Sequence, residues 1–151
     1  MTKPLTPALP DPQAETLVSA QSLVSTYEEA GYARAHPAIL QPADPFLDLS
    51  GEDIRARMFL TAGRAGEELC LRPDFTIPVS RDYLASASAG KPQGYCYLGP
   101  VFRDRGALPG EFLQAGIESF GRTDMPAADA ETLALGLAAT AQLIVSERPD
   151  L

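Results

Sequence analysis

The sequence predicts an α+β domain in which a mainly antiparallel sheet is backed by helices. Three observations carry this. Two strand-like runs, Gly94–Asp104 and Glu111–Phe120, are joined by the turn-rich loop RGALPG (Arg105–Gly110), which makes a long hairpin. Apolar residues recur at helical spacing near both ends of the chain: Leu17, Ala20, Val24 and Tyr27 first, then Leu133, Leu137 and Ile144. Between them the order of elements is helix, strand, hairpin, helix, long hairpin, helix.

Taken in order, residues 1–12 hold four prolines and little to bury, and read as a flexible arm. A helix follows over Gln13–Ala30, with Gly31 where a chain leaving a helix needs a left-handed residue. A short strand runs to His36 and stops at Pro37. QPADPF, from Gln41, reads as a loop. Strands around Arg57–Thr61 and Glu68–Leu71 flank GRAG (Gly63–Gly66), a hairpin turn. A helix is expected over Phe75–Ala87, before the long hairpin. Asp124 can cap a last helix, with Pro126 in its first turn, running to Glu147. That helix is apolar nearly all round, so burial on several sides is expected.

The chain has 151 residues, 45% of them hydrophobic, enough for one domain with a core, here residues 13–151. Twelve basic residues stand against 20 acidic ones, a net charge of −8, which argues against a nucleic-acid partner. Lys3 and Lys91 are the only lysines; the other cations are arginines, suited to gripping carboxylates and phosphates. Cys70 and Cys96 sit in apolar runs and read as buried reduced thiols. No zinc spacing, phosphate-binding glycine loop or Ser/His/Asp set occurs, so no metal, cofactor or catalytic residue is expected. His36, beside a proline, reads as a packed or surface residue. No basic segment leads into an apolar core at the N-terminus, and no apolar run nears the ~18 residues of a membrane span. A soluble cytoplasmic protein is expected.

EFLQAGIESFG (Glu111–Gly121) has an unusual outward face. Leu113, Ala115 and Ile117 alternate as a buried face should, while Gln114, Gly116 and Glu118 share the other side. Two readings stay open: a solvated sheet face, or a floor where a ligand approaches Gly116 between an amide and a carboxylate. Arg103 and Arg105 would bracket the hairpin mouth near Glu111 and Gln114, as a cross-strand ion pair or as a fork for a ligand anion. Asp74 and Thr76 follow Arg72 at a strand-to-helix junction, as local caps or as further pocket walls. Acid for an amine and arginine for an acid would make an amino-acid site.

YLGPVFRDRGALPGEFLQAGIESFG (Tyr97–Gly121) resembles motif 2 of the class II aminoacyl-tRNA synthetases in its histidyl version. LRPDFTIPVSR (Leu71–Arg81) is similar to that family's LRPE-x-T stretch, and DAETLAL (Asp129–Leu135) to its following helix. The first helix with Gly31, Tyr32 and Pro37 resembles motif 1, the dimer-forming element. The likeness runs from about residue 13 to 147. FLDLSGEDIRARMF and ELCLRPDFTIPV look most like the non-catalytic paralogue, the regulatory subunit family of short-form ATP phosphoribosyltransferase. The resemblance implies a homodimer within a hetero-oligomer, with the short catalytic subunit as partner and L-histidine as feedback effector of histidine biosynthesis. Asp74, Thr76, Arg103, Gln114 and Glu118 fall on the histidine-binding positions. Arg105 departs from the synthetase pattern, which has a glutamate there that helps hold adenine. The loop RGALPG is short and uncharged beyond Arg105, poorly suited to an acceptor stem. A histidyl-tRNA synthetase, or a related amino-acid-binding module with another partner, are the alternatives. Members of the family are more than twice this long and continue with a second histidine motif and motif 3, so a fragment of a longer core is expected.

Overall fold

The computed structural model describes residues 12–147, with side chains over 20–142. The proline-rich arm expected at residues 1–12 lies outside the described residues except for Pro12, which opens the first helix. That helix, α1 (Pro12–Glu29), ends as Gly31 requires. Gly31 adopts φ +92°, Gly31 N–H donates to Glu28 O, and Tyr32 N–H reaches back to Tyr27 O, which satisfies the last carbonyls. The chain leaves into β1 (Ala33–Arg34), then β2 (Leu40–Pro42), α2 (Asp44–Leu49), α3 (Glu52–Ala56), β3 (Leu60–Ala62) and β4 (Glu68–Leu71). Next come α4 (Thr76–Ala85), β5 (Gln93–Phe102), β6 (Glu111–Phe120) and α5 (Met125–Glu147).

The strands form two three-stranded sheets rather than one. In the larger, β5 lies between β1, which runs parallel to it, and β6, which pairs with it antiparallel over ten residues from Gln93↔Phe120 to Phe102↔Glu111. The smaller has the order β2-β4-β3, all antiparallel. The GRAG turn closes β3 onto β4 as expected, with Gly63 N–H donating to Glu67 O and Gly66 at φ +87°. The segment read as a loop from Gln41 instead supplies β2 and α2. Pro42 is tolerated in a strand because β2 is an edge, and Pro45 sits in the first turn of α2.

The large sheet is covered on both faces. On one, Cys96, Leu98 and Ile117 meet Val24 and Tyr27 of α1 and Leu135 and Ala139 of α5. On the other, Tyr97, Val101, Phe112 and Phe120 meet Phe75 and Val79 at the start of α4. Helix α5 is not buried all round. Leu133 and Leu137 remain 65% and 63% exposed, because the helix turns its alanine-rich side to α1. Among the described residues β6 has no partner on its outer edge.

Arg72 ties the two sheets together and is only 5% exposed. Its Nε donates to Pro100 O at 2.9 Å, its Nη1 to Pro37 O, and its guanidinium lies 4.0 Å from the centre of the Phe75 ring. Its backbone N–H binds Ile39 O and its carbonyl accepts from Phe102 N–H. Burial holds this guanidinium below its ordinary pKa, and among the described residues no carboxylate pairs with it.

Candidate functional site

The register of the long hairpin decides which side chains meet. Tyr95 stands opposite Glu118, Tyr97 opposite Gly116, and Gly99 opposite Gln114. Directly paired residues share a face, so Gln114, Gly116 and Glu118 lie on the side that receives α4, not on a solvated face. There the start of α4 brings Thr76 to Glu118: Thr76 Oγ1 donates to Glu118 Oε1 at 2.8 Å. Tyr97 Oη donates to the same oxygen at 3.2 Å.

Gly116 is not an open floor. A Cβ there would stand 2.5 Å from Tyr97 Oη, so the glycine is the slot in which the phenol lies. Tyr97 is 4% exposed and stacks flat on Phe75, with ring centres 4.6 Å apart. Burial first, and then the charge of Glu118, push its phenol well above the ordinary value, so it stays a neutral donor.

Asp74 takes the local role open to it: Oδ1 accepts from Ile77 N–H at 3.2 Å in the first turn of α4. Its charge is also felt at Tyr97. Arg103 crosses from the end of β5, and its Nε donates to Pro73 O at 2.7 Å, which fastens it beside Asp74. Arg103 and Arg105 do not pair with Glu111 or Gln114. Both guanidiniums instead approach the Phe112 ring, at 5.7 Å and 4.5 Å from its centre. Gln114 Oε1 is buried and has no hydrogen-bond donor. A buried acceptor left unpaired costs about 1–3 kcal/mol. Thus Thr76 and Glu118 touch directly, Asp74 and Arg103 flank Pro73, and Gln114 lies on the same sheet face with its Oε1 buried. A cleft of about 370 Å³ opens at the outer edge of β6, bordered by Glu118, Arg122 and Asp129.

Reading the residues one by one missed Tyr97 and Arg72. Tyr97 was hidden by the register: centring the hairpin on Arg105–Gly110 pairs Tyr97 with Glu118, whereas the structure shifts the pairing by two residues and sets Tyr97 opposite Gly116. Among the described residues no group of three or more His, Cys, Asp or Glu could hold a metal ion, and no helix is long and apolar enough to cross a membrane.

The profile of the histidyl-tRNA synthetase family matches residues 7–149. The chain belongs to that family. Within it, a protein of Mesorhizobium japonicum named ATP phosphoribosyltransferase regulatory subunit is 58% identical over 97 residues, which are 64% of this chain and 26% of that protein. A Rhizobium meliloti protein of the same name is 45% identical over 129 residues, 85% of this chain and 34% of that protein. The crystal structure of an ATP phosphoribosyltransferase regulatory subunit/histidyl-tRNA synthetase from Bacillus halodurans superposes with a TM-score of 0.79 at 25% identity. It covers 95% of this chain and 38% of that one. The fold is therefore the α+β class II synthetase type, and the chain spans about a quarter to a third of the length of the curated relatives it matches.

Proposed function

We propose that the chain acts as a non-catalytic regulatory subunit of ATP phosphoribosyltransferase, required for the first step of histidine biosynthesis and for its feedback inhibition by histidine. L-Histidine would bind on the α4 face of the β5–β6 hairpin. Gln114 and Glu118 face the ligand, Asp74 and Thr76 stand near its amino group, and Arg103 near its carboxylate. The observation that carries this reading is the Glu118 carboxylate, fixed by Thr76 and Tyr97 on the sheet face that also carries Gln114. An acceptor and an anion on one wall suit a ligand that brings N–H groups and positive charge.

The partner is the short-form catalytic subunit, and the working assembly is a homodimer of this chain within a hetero-oligomer in the cytoplasm. No cofactor is needed. The mechanism is linkage: histidine favours one conformation of the complex and lowers catalytic activity through a coupling of typically ~1–3 kcal/mol. The family's name favours a second reading, a histidyl-tRNA synthetase. Arg105 speaks against it, since it replaces the adenine-side glutamate and lies on the Phe112 ring. Titration with L-histidine by calorimetry, together with histidine-dependent ATP–pyrophosphate exchange, separates the two. Histidine binding without exchange is expected; exchange would make the chain a synthetase, and no binding would remove the histidine site.

A further inference from the structure

We propose that Tyr97 is a positioning residue for Glu118: with Thr76 it pins one carboxylate oxygen so that the other faces the ligand. This rests on the histidine-binding reading above. Two hydroxyls converge on Oε1, from Thr76 at 2.8 Å and Tyr97 at 3.2 Å. Among the described residues Oε2 accepts no hydrogen bond. A carboxylate held through one oxygen by two donors from different elements, α4 and β5, has lost its freedom to turn away. Its second oxygen keeps its full capacity for a ligand N–H or ammonium.

The surroundings of Tyr97 are built for that reach. Phe75, itself 2% exposed, backs the ring in a parallel stack. Glycine at 116 leaves the space that the phenol crosses, where a Cβ would lie 2.5 Å from Oη. In the strand register Tyr97 faces Gly116, and its hydroxyl extends to Glu118, two residues further along β6. A tyrosine needed only as core filler would be equally served by phenylalanine. The hydroxyl is the part that the packing does not explain.

The test is L-histidine binding by the 151-residue chain, followed by NMR titration so that millimolar constants remain readable, in a two-by-two set of Tyr97→Phe and Glu118→Ala. Tyr97→Phe keeps the ring and its stack, and thermal unfolding checks that the fold is intact. The expected result is a rise in Kd of about 3- to 10-fold for Tyr97→Phe alone. With Glu118→Ala already present, the same substitution should change Kd by less than about 1.5-fold, because there is no carboxylate left to hold. An equal factor in both backgrounds would make Tyr97 purely structural, and no change in either would remove its role. If wild type binds histidine and Glu118→Ala binds as well, the positioning idea fails while the histidine reading stands. If wild type does not bind histidine, the reading itself fails. Thr76→Val removes the other donor to the same oxygen and supplies the second arm of the cycle should Tyr97→Phe unfold.

Discussion

Arg72 allows the sharpest test of how the two sheets are held together. Arg72→Met keeps a long apolar stem but leaves Pro37 O and Pro100 O without their donors. Hydrogen bonds from a charged donor are worth about 1.5–3 kcal/mol each, and the guanidinium over Phe75 adds about 1 kcal/mol. Against this, removing a buried cation returns its desolvation cost. The net expectation is a loss of about 2–4 kcal/mol. At ~2–4 °C per kcal/mol for a chain of this size, Tm should fall by roughly 5–15 °C. Arg72→Lys is the informative companion. A single ammonium cannot serve carbonyls on two diverging segments and also stack on the ring, yet it keeps the full cost of a buried charge. It should destabilise as much as methionine does. Urea unfolding followed by far-UV circular dichroism measures both. A lysine variant as stable as wild type, or a methionine variant within ~0.5 kcal/mol of it, would refute the claim that the guanidinium fork joins the sheets.

Four further outcomes follow from the same geometry. Gly116→Ala should cost about 1–3 kcal/mol in denaturant unfolding, because its Cβ meets the Tyr97 phenol at 2.5 Å. Gly121→Ala should also destabilise measurably, since it adds a left-handed backbone (φ +68°) to a Cβ placed 2.2 Å from Lys91 O. Both thiols are fully buried and burial pushes Cys70 up to about 11, so neither should react with a thiol reagent at pH 8 until the protein unfolds. Arg122 holds the Asp124 carboxyl below its usual range. That contribution is present above the unfolded carboxyl's pKa, near pH 4, and is lost as pH falls through the lower folded value. The stability gap between wild type and Asp124→Asn should therefore narrow in acid unfolding titrations below about pH 4.

Much of this was legible in the residues. The hairpin Gln93–Phe120 announced itself by length, alternation and a loop of two glycines and a proline. Gly31 and the GRAG turn marked positions where only a left-handed backbone serves. β2 and α2 were not legible, because Pro42 and Pro45 erase the periodicity that a three-residue strand and a six-residue helix could show. Helix α5 misled by composition. Alanine counts as apolar, but small residues let α1 approach on one side and leave Leu133 and Leu137 outside. In the candidate site, residue type and strand parity placed Gln114 and Glu118 together, but not what covers them. That depends on α4 folding back over the hairpin, a contact between segments 42 residues apart in the chain that no local pattern encodes. The same gap turned Gly116 from a ligand floor into the berth of Tyr97, and Arg103 and Arg105 from ion-pair partners into covers for Phe112.

The measurement that bears most directly on the central claim is reconstitution. A short-form ATP phosphoribosyltransferase catalytic subunit is assayed alone, then with this chain, then with L-histidine added, using wild type and Glu118→Ala in parallel. The account predicts stimulation by both proteins and reversal by histidine with wild type only. Absence of stimulation would contradict the regulatory reading, and equal inhibition with Glu118→Ala would put the effector somewhere other than the α4 face of the hairpin.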